Sequence, residues 1–349
     1  MNVMSYKTKR PLSEKTVQKL LLQHFPHQSV EGLQEVPKSF VNKVYSFRVS
    51  SGEEYILKIN NPHWPEKQRR EALALTLVKE QTSIPVPTIY AQSPPKSPIS
   101  YLILEKVPGV ELKDALQEGL LEQTIALKLF TEVGRYLGEL QKISFDFFGD
   151  FSVDSLSPSS SNFLWGRTFA TFKECLQAFA FEVLNWVDTN TFPAVRKKLH
   201  KVIPTYLEQI HDSSPSCLVH SDIQASNILI QDGTISALLD FEWAFAGTSS
   251  FDLTLAKAGF YFSTFPSLAP NSSRLALTED NYFKEISRAL DAGFQSSSSQ
   301  LVIPYPEDFP AFVWLLYLIG SWRWTTRLLP FAERRRLKRK ILSLSAQFF

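Results

Sequence analysis

The chain has 349 residues, 44% hydrophobic and 21% charged, a balance that supports a sizeable core and excludes global disorder. Its formal net charge of +2 makes no general case for nucleic acid. The longest apolar run, Ala311 to Gly320, is too short for a bilayer and reads as a buried helix. Cys175 and Cys217 have no metal-ligand spacing and fit two free thiols in a reducing cytosol, with one disulfide left open. Met1 to Pro11 carries lysines without an apolar segment, so no signal peptide is read and a cytoplasmic location is expected.

Ser13 to His24 predicts a short amphipathic helix, with Ser13 as N-cap and Val17, Leu20 and Leu21 on one face; Pro26 ends it. From Gly32 to Asn60 the pattern becomes strands. Val41 to Val49 alternates, Ser51-Gly52 turns the chain, and Glu54 to Ile59 alternates again. Lys58 is a lysine in an otherwise apolar strand, which would suit a sheet edge guarded against aggregation. A helix over 65–80 follows, with Leu73, Leu75 and Val78 on its apolar face and Glu71 near its start. Ile84-Pro-Val-Pro leads an extended segment to Tyr90, because each proline disfavours helix in the residue before it. Pro94 to Pro98 is a hairpin loop and Tyr101 to Glu105 a fifth strand. Lys106-Val-Pro-Gly109 breaks the pattern and divides the chain into 1–105, a junction at 106–109, and 110–349.

Beyond Gly109 the pattern is helical. Glu122 to Ile143 is a long periodic helix, 155–162 (SLSPSSSN) a mobile polar loop, and Trp165 to Asp188 and Ala194 to His211 two more helices. After the stretch treated next, helices are expected at Leu253 to Phe262, Glu279 to Phe294, Phe312 to Arg327 and Ala332 to Phe349, with a turn at Pro304 to Pro310. The basic run Arg334 to Lys340 reads as a solvated helix face, so neither nucleic acid nor a membrane is expected as a partner. Trp165, Trp314 and Trp322 are read as core packing rather than as platforms for a sugar.

The chemistry concentrates between Leu218 and Ala244. Asp232-Gly233 between two β-prone runs is a two-residue hairpin signal, because both turn positions need positive φ. Pairing outward sets Gln231 opposite Thr234 and Asn227 opposite Leu238, with Asp240 on the face of Leu238. Asn227 and Asp240 then become diagonal neighbours at the open end of the hairpin, and two oxygen ligands there suit a hard cation such as Mg²⁺. Asp222, five residues before Asn227, adds a carboxylate close to that metal without being obliged to bind it.

The spacing His220-x-Asp222-x-x-x-x-Asn227, followed by Asp240, is that of a kinase-type catalytic loop. Its wording resembles the aminoglycoside phosphotransferase and choline kinase-like families. HSDIQASN stands where they typically have HGDLHPGN, Leu238-Leu-Asp-Phe-Glu242 where they end a strand in D-F/W-E, and Phe251-Asp252-Leu253 where they have D-L-A. The resemblance implies an α+β, bilobal protein-kinase-like fold: a small antiparallel-sheet N-lobe with one main helix, a hinge, and a larger, mainly helical C-lobe. It implies Lys58 and Glu71 as the ion pair that orients nucleotide phosphates, and Asn42 and Lys43, with Ser39, in the phosphate loop. Backbone of Glu105 and Val107 would read an adenine edge, and Asn227 and Asp240 would hold Mg²⁺. Asp222 would orient a substrate hydroxyl and accept its proton, with His220 fixing the loop and Asp252 anchoring it. Glu242 would bind substrate or metal, or support the loop.

The implied activity is transfer of the γ-phosphate of ATP or GTP to a hydroxyl of a small molecule: an amino alcohol, a sugar or an aminoglycoside-like acceptor. The basic, aromatic-rich stretch from Pro304 to Phe349 counts mildly against a polycation. The phosphate loop lacks glycine, and Ser221 stands where the family usually has Gly. These departures keep a non-catalytic, nucleotide-binding pseudokinase as the alternative.

Overall fold

In the computed structural model the first third of the chain builds one antiparallel sheet flanked by two helices. The structure describes residues 12–36, 42–60, 66–95, 97–152, 165–186, 192–210, 214–268, 279–298, 306, 308–325 and 331–348. Ser39 and the 155–162 stretch lie outside them. α1 (Glu14–His24) precedes β1 (Val30–Glu35), β2 (Lys43–Val49) and β3 (Glu54–Ile59); α2 (Glu66–Gln81), β4 (Ile89–Gln92) and β5 (Tyr101–Glu105) follow. The sheet order is β1-β2-β3-β5-β4. Period-2 alternation sorts its faces: Tyr101 and Ile103 pack with Phe47, Leu57 and the α1 residues Val17 and Leu21, whereas Leu102 and Leu104 pack with Leu75 and Val78 of α2. Ser13 caps α1 as expected, its Oγ accepting the Thr16 N–H at 3.2 Å.

One alternative falls away here and one expectation is corrected. β3 is hydrogen-bonded on one side to β2 and on the other to β5, so Lys58 sits in a central strand and is not an edge lysine. In α2, Leu73 is exposed, and the buried face carries Lys67, Arg70 and Glu71 alongside Ala72, Leu75 and Val78. A buried face with three charged groups persists only where the charges are paired.

The remainder is mostly helical. β6 (Val110–Glu111) runs into α3 (Leu112–Gln117) and α4 (Gln123–Glu139); then come β7 (Ser144–Phe145), β8 (Phe148–Gly149), β9 (Thr168–Phe169), α5 (Phe172–Trp186) and α6 (Pro193–Leu207). β10 (Ser216–Val219), β11 (Ile228–Gln231), β12 (Thr234–Leu238) and β13 (Phe245–Gly247) carry the central stretch. α7 (Ser249–Leu268), α8 (Glu279–Ser297), α9 (Phe309–Thr325) and α10 (Phe331–Ser345) complete the chain. One small sheet has the order β7-β10-β13-β8-β9 and another β12-β11-β6. Pairing of β6 with β11 fastens the segment leaving the first sheet onto the hairpin. Gly109 makes that approach at φ +138°, where a Cβ would come within 2.8 Å of the Ile230 carbonyl oxygen.

α10 turns Leu337, Ile341 and Leu344 inward and leaves Arg334, Arg335, Arg336, Lys338 and Arg339 exposed, the solvated basic face expected. Trp165 packs against Trp243, Trp314 against Phe283, and Trp322 against Phe192. Both cysteines are buried free thiols. Among the described residues no helix is long and apolar enough to cross a membrane.

Candidate active site

The hairpin forms at Asp232-Gly233, both at positive φ (50° and 75°), and Gln231 opposes Thr234 as expected. The register then shifts. Ile230 pairs with Ile235 and Leu229 with Ala237, so Ser236 bulges out and Leu238 opposes Ile228 rather than Asn227. Asn227 therefore ends a short 3₁₀ turn just outside the strand, where its carbonyl accepts the Leu239 N–H at 2.8 Å. Asp240 follows in the left-handed region (φ 66°, ψ 57°), so its carboxylate is aimed by a turn and not by strand alternation. The two residues expected as diagonal neighbours on paired strands therefore sit on adjoining turns instead.

The loop before the hairpin is fixed from below. Asp252, buried at the start of α7, accepts the backbone N–H groups of His220 and Ser221 at 2.7 and 2.8 Å. Burial pushes its carboxyl up to about 6, against the pull of those two donors. His220 is fully buried; its ring Nε2 donates to the Leu239 carbonyl at 2.9 Å and its Nδ1 accepts the Asp222 N–H at 3.3 Å. Ser221 takes the positive-φ position (61°), and its Oγ donates to the Trp243 carbonyl at 2.6 Å. That bond offsets the strain a side chain meets there.

Asp222 lies beside Asn227, whose Nδ2 donates to its main-chain carbonyl at 2.8 Å and its Oδ2 at 3.2 Å. With the amide nitrogen committed, the Asn227 Oδ1 remains as an acceptor. Burial, with Asp240 and Glu242 nearby, pushes the Asp222 carboxyl up to about 8.

Opposite stands Lys58. Its Nζ lies 2.8 Å from Glu71 Oε2, 2.6 Å from Asp240 Oδ1 and 3.1 Å from Glu242 Oε2. Burial opposes its charge, but the three carboxylates outweigh that and raise its pKa well above the usual range. Burial pushes Glu71 up to about 7 despite Lys58. Glu242 is also buried, yet Lys58 and Lys67 hold it well below the ordinary carboxylate range. Oxygens of Glu71, Asp240 and Glu242 all lie within 4.8 Å of one another. Asp240 is the accessible member: its side chain is 35% exposed, against 3% for Glu242. A carboxylate oxygen of Asp240 with Oδ1 of Asn227 is an oxygen-only donor set that fits a hard divalent cation.

The other expected residues are placed as follows. Asn42 is buried and donates its Nδ2 to Glu242. Lys43 is half-buried and ion-paired with Glu35. Glu105 ends β5 with its N–H on the Thr88 carbonyl, and Val107 stands two residues on, half-buried. A cavity of about 350 Å³ opens beside this junction, lined by Gly109, Glu111, Asp114, Glu118 and Leu229 among others.

Sequence reasoning missed Lys67, Arg70 and Asp150. Lys67 Nζ lies 2.8 Å from Glu242 Oε1. Arg70 reaches the Glu242 carbonyl at 3.0 Å and Asp150 at 2.8 and 3.3 Å. The signal available was spacing, since Lys67, Arg70 and Glu71 share a helix face at i, i+3 and i+4.

The profile of the phosphotransferase enzyme family matches residues 32–283. No curated protein matches the chain in sequence. Among solved structures, the aminoglycoside phosphotransferase APH(4)-Ia is similar over 95% of this chain and 97% of its own, with a TM-score of 0.61 at 17% identity. A thermostable mutant of it, in ternary complex with AMP-PNP and hygromycin B, is similar over 95% and 98%, with a TM-score of 0.62 at 17% identity. A protein assigned as a fructosamine-3-kinase, from Thermobifida fusca YX-ER1, is similar over 95% and 99%, with a TM-score of 0.62 at 16% identity. Identities this low speak for the fold, which is the α+β protein-kinase-like fold that the motifs implied.

Proposed function

The chain belongs to the phosphotransferase enzyme family, and on that premise we propose that it moves the γ-phosphate of ATP or GTP to a hydroxyl of a small molecule, with Mg²⁺. The observation that carries this reading is the convergence of Lys58, Glu71 and Asp240 on one side and Asp222 with Asn227 on the other. In this reading 1–105 is a nucleotide-binding N-lobe, 106–109 the hinge, and 110–349 the lobe that carries the catalytic loop and the acceptor pocket.

Lys58, held by Glu71, orients the phosphates, and Lys43 at the start of β2 adds a second cation for them. The backbone of Glu105 and Val107 reads the base. Glu111 and Asp114, in the adjoining cavity, offer carboxylates to ribose hydroxyls. Asn227 and Asp240 would hold the metal, which would supply charge neutralisation to the phosphates. Asp222 orients the acceptor hydroxyl and takes its proton, so that catalysis is mainly positioning and charge neutralisation. The AMP-PNP and hygromycin B complex of the similar enzyme supports a nucleotide and a hydroxylated small molecule here. Acceptors to test are amino alcohols, sugars and aminoglycosides. Ser221 does not favour the pseudokinase alternative, because its hydroxyl closes the loop at the position glycine usually takes.

The test pairs two measurements on the parent, Asp222→Asn and Asp240→Asn. Nucleotide binding is followed by thermal shift with and without Mg²⁺, and phosphate transfer by product formation over the acceptor panel. Asp222→Asn keeps nucleotide affinity and lowers transfer by about 10²-fold. Asp240→Asn loses the Mg²⁺-dependent part of nucleotide affinity. A parent protein that no nucleotide stabilises, with or without Mg²⁺, overturns the proposal.

A further inference from the structure

Glu242 stands two residues beyond Asp240, and with Glu71 the two acids bring carboxylate oxygens within 4.8 Å of one another. The spacing is short enough for one cation to reach all three groups. The contacts around Glu242 prevent it. Its Oε1 is held by Lys67 at 2.8 Å, and its Oε2 by Lys58 at 3.1 Å and by Asn42. Its main-chain carbonyl accepts from Arg70 at 3.0 Å.

The two α2 cations are themselves framed. The Lys67 ammonium lies 3.4 Å over the Trp243 ring and the Arg70 guanidinium 3.8 Å over that of Trp165, and the two rings pack 5.6 Å apart. Arg70 is forked onto Asp150, which also accepts the N–H groups of Ser152 and Gly166 at 2.9 and 3.0 Å. Both cations are buried, so neither can swing away without leaving an unpaired charge in the interior.

We infer that Lys67 and Arg70 are positioning residues that hold Glu242 out of the metal site, leaving Asp240 as the one acidic ligand this segment presents to a divalent cation. Lys67 does this through the carboxylate and Arg70 through the peptide that carries it. Remove the Lys67 charge, and Lys58 alone faces three carboxylates. Glu242 Oε1 is then released, and a cation binds before any nucleotide arrives. The inference rests on the metal site proposed above, but its test needs no phosphate transfer.

The experiment is calorimetric titration of Mg²⁺ alone, then of nucleotide with and without Mg²⁺, into the parent, Lys67→Met, Lys67→Arg and the double variant Lys67→Met/Glu242→Gln. Lys67→Met binds Mg²⁺ without nucleotide at least about tenfold more tightly than the parent, because one more carboxylate is free to ligate. Lys67→Arg, which keeps the charge, stays at the parent value. The double variant also returns to that value and keeps its Mg²⁺-dependent nucleotide affinity within about threefold, since Glu242 is not a ligand. Equal Mg²⁺ affinity in the parent and Lys67→Met overturns the inference. So does a double variant that loses Mg²⁺-dependent nucleotide binding, and this arm decides should Lys67→Met fail to fold. A parent without nucleotide affinity overturns the proposed function and leaves the metal-only comparison standing.

Discussion

His220 is the neutral imidazole at neutral pH, and its two ring contacts are the reason. Nε2 must donate to the Leu239 carbonyl, so Nδ1 is the bare nitrogen that accepts the Asp222 N–H. Protonating Nδ1 would set a donor against a donor inside a closed site. Burial drives the ring in the same direction, lowering its pKa from the ordinary 6.5 to about 4. In the unfolded chain the ring takes up a proton near pH 6.5; in the folded protein it does not until about pH 4. Its contribution to stability is therefore complete above 6.5 and is lost as pH falls through that window. Asp252 works in the opposite sense, because its folded pKa of about 6 lies above the ordinary 3.8 and favours folding as pH falls. A stability curve would mix the two, so the ring nitrogen NMR shifts are the readout. They stay those of the neutral Nε2–H tautomer from pH 8 down to about 5; a midpoint near 6.5 would mean that His220 is solvated. At this scale Asp222, Asn227 and Asp240 were legible because one short stretch fixes their spacing. Lys67 and Arg70 were not, because in sequence a buried, paired cation looks like a solvated one.

Two elements illustrate how far pattern reaches. Strand alternation located β2 and β3, whose faces are fixed by burial, whereas β1 (Val30–Glu35), with no fully buried residue, was not singled out. The same alternation misplaced Asn227 by one residue, since nothing about Ser236 marks it as a bulge. The packing of α4 on α8 was also invisible. A Cβ at Gly134 would overlap the Leu290 carbonyl, and one at Gly293 the Thr131 carbonyl, so each helix carries a glycine where the other's backbone approaches. At Gly138 a Cβ would overlap the Ser297 hydroxyl, the end of a side chain, and lie 3.0 Å from the Phe294 carbonyl oxygen. Alanine in an ordinary helix interior gains about 1 kcal/mol over glycine. Here the sign reverses: Gly134→Ala and Gly293→Ala each lower stability by about 2 kcal/mol in urea unfolding, because backbone cannot turn aside as a side chain can. Gly138→Ala costs less than either. A stabilised Gly134→Ala would show that the two helices separate easily.

Across the whole molecule, the sheet-bearing part and the helical part are joined at the site by buried charge. Arg70 and Asp150 are 80 positions apart in sequence, and Lys67 and Glu242 are 175 apart. No local pattern announces such pairs, whereas the break after Glu105, where β5 ends, is written in one Pro-Gly stretch. Arg70 is 2% exposed and Asp150 1%, so neither charge has water to fall back on. Burial opposes ionisation of Asp150, but Arg70 and three further hydrogen bonds, from Ser152 N–H and Oγ–H and from Gly166 N–H, outweigh it and hold the carboxyl below its usual range. Arg70→Ala strands that carboxylate and lowers stability by about 3–5 kcal/mol. Asp150→Asn keeps the shape but strands the guanidinium, and is also destabilising. Arg70→Met/Asp150→Asn removes both charges at similar volume, so its loss is smaller than the sum of the two single losses. Urea unfolding of the parent, both singles and the double closes the cycle. Losses that add to within about 0.5 kcal/mol would mean that the pair is not coupled. In that case α2 is held against the Asp240 to Trp243 segment through Lys67, the Trp243 ring and the Arg70 bond to the Glu242 carbonyl, without help from Asp150.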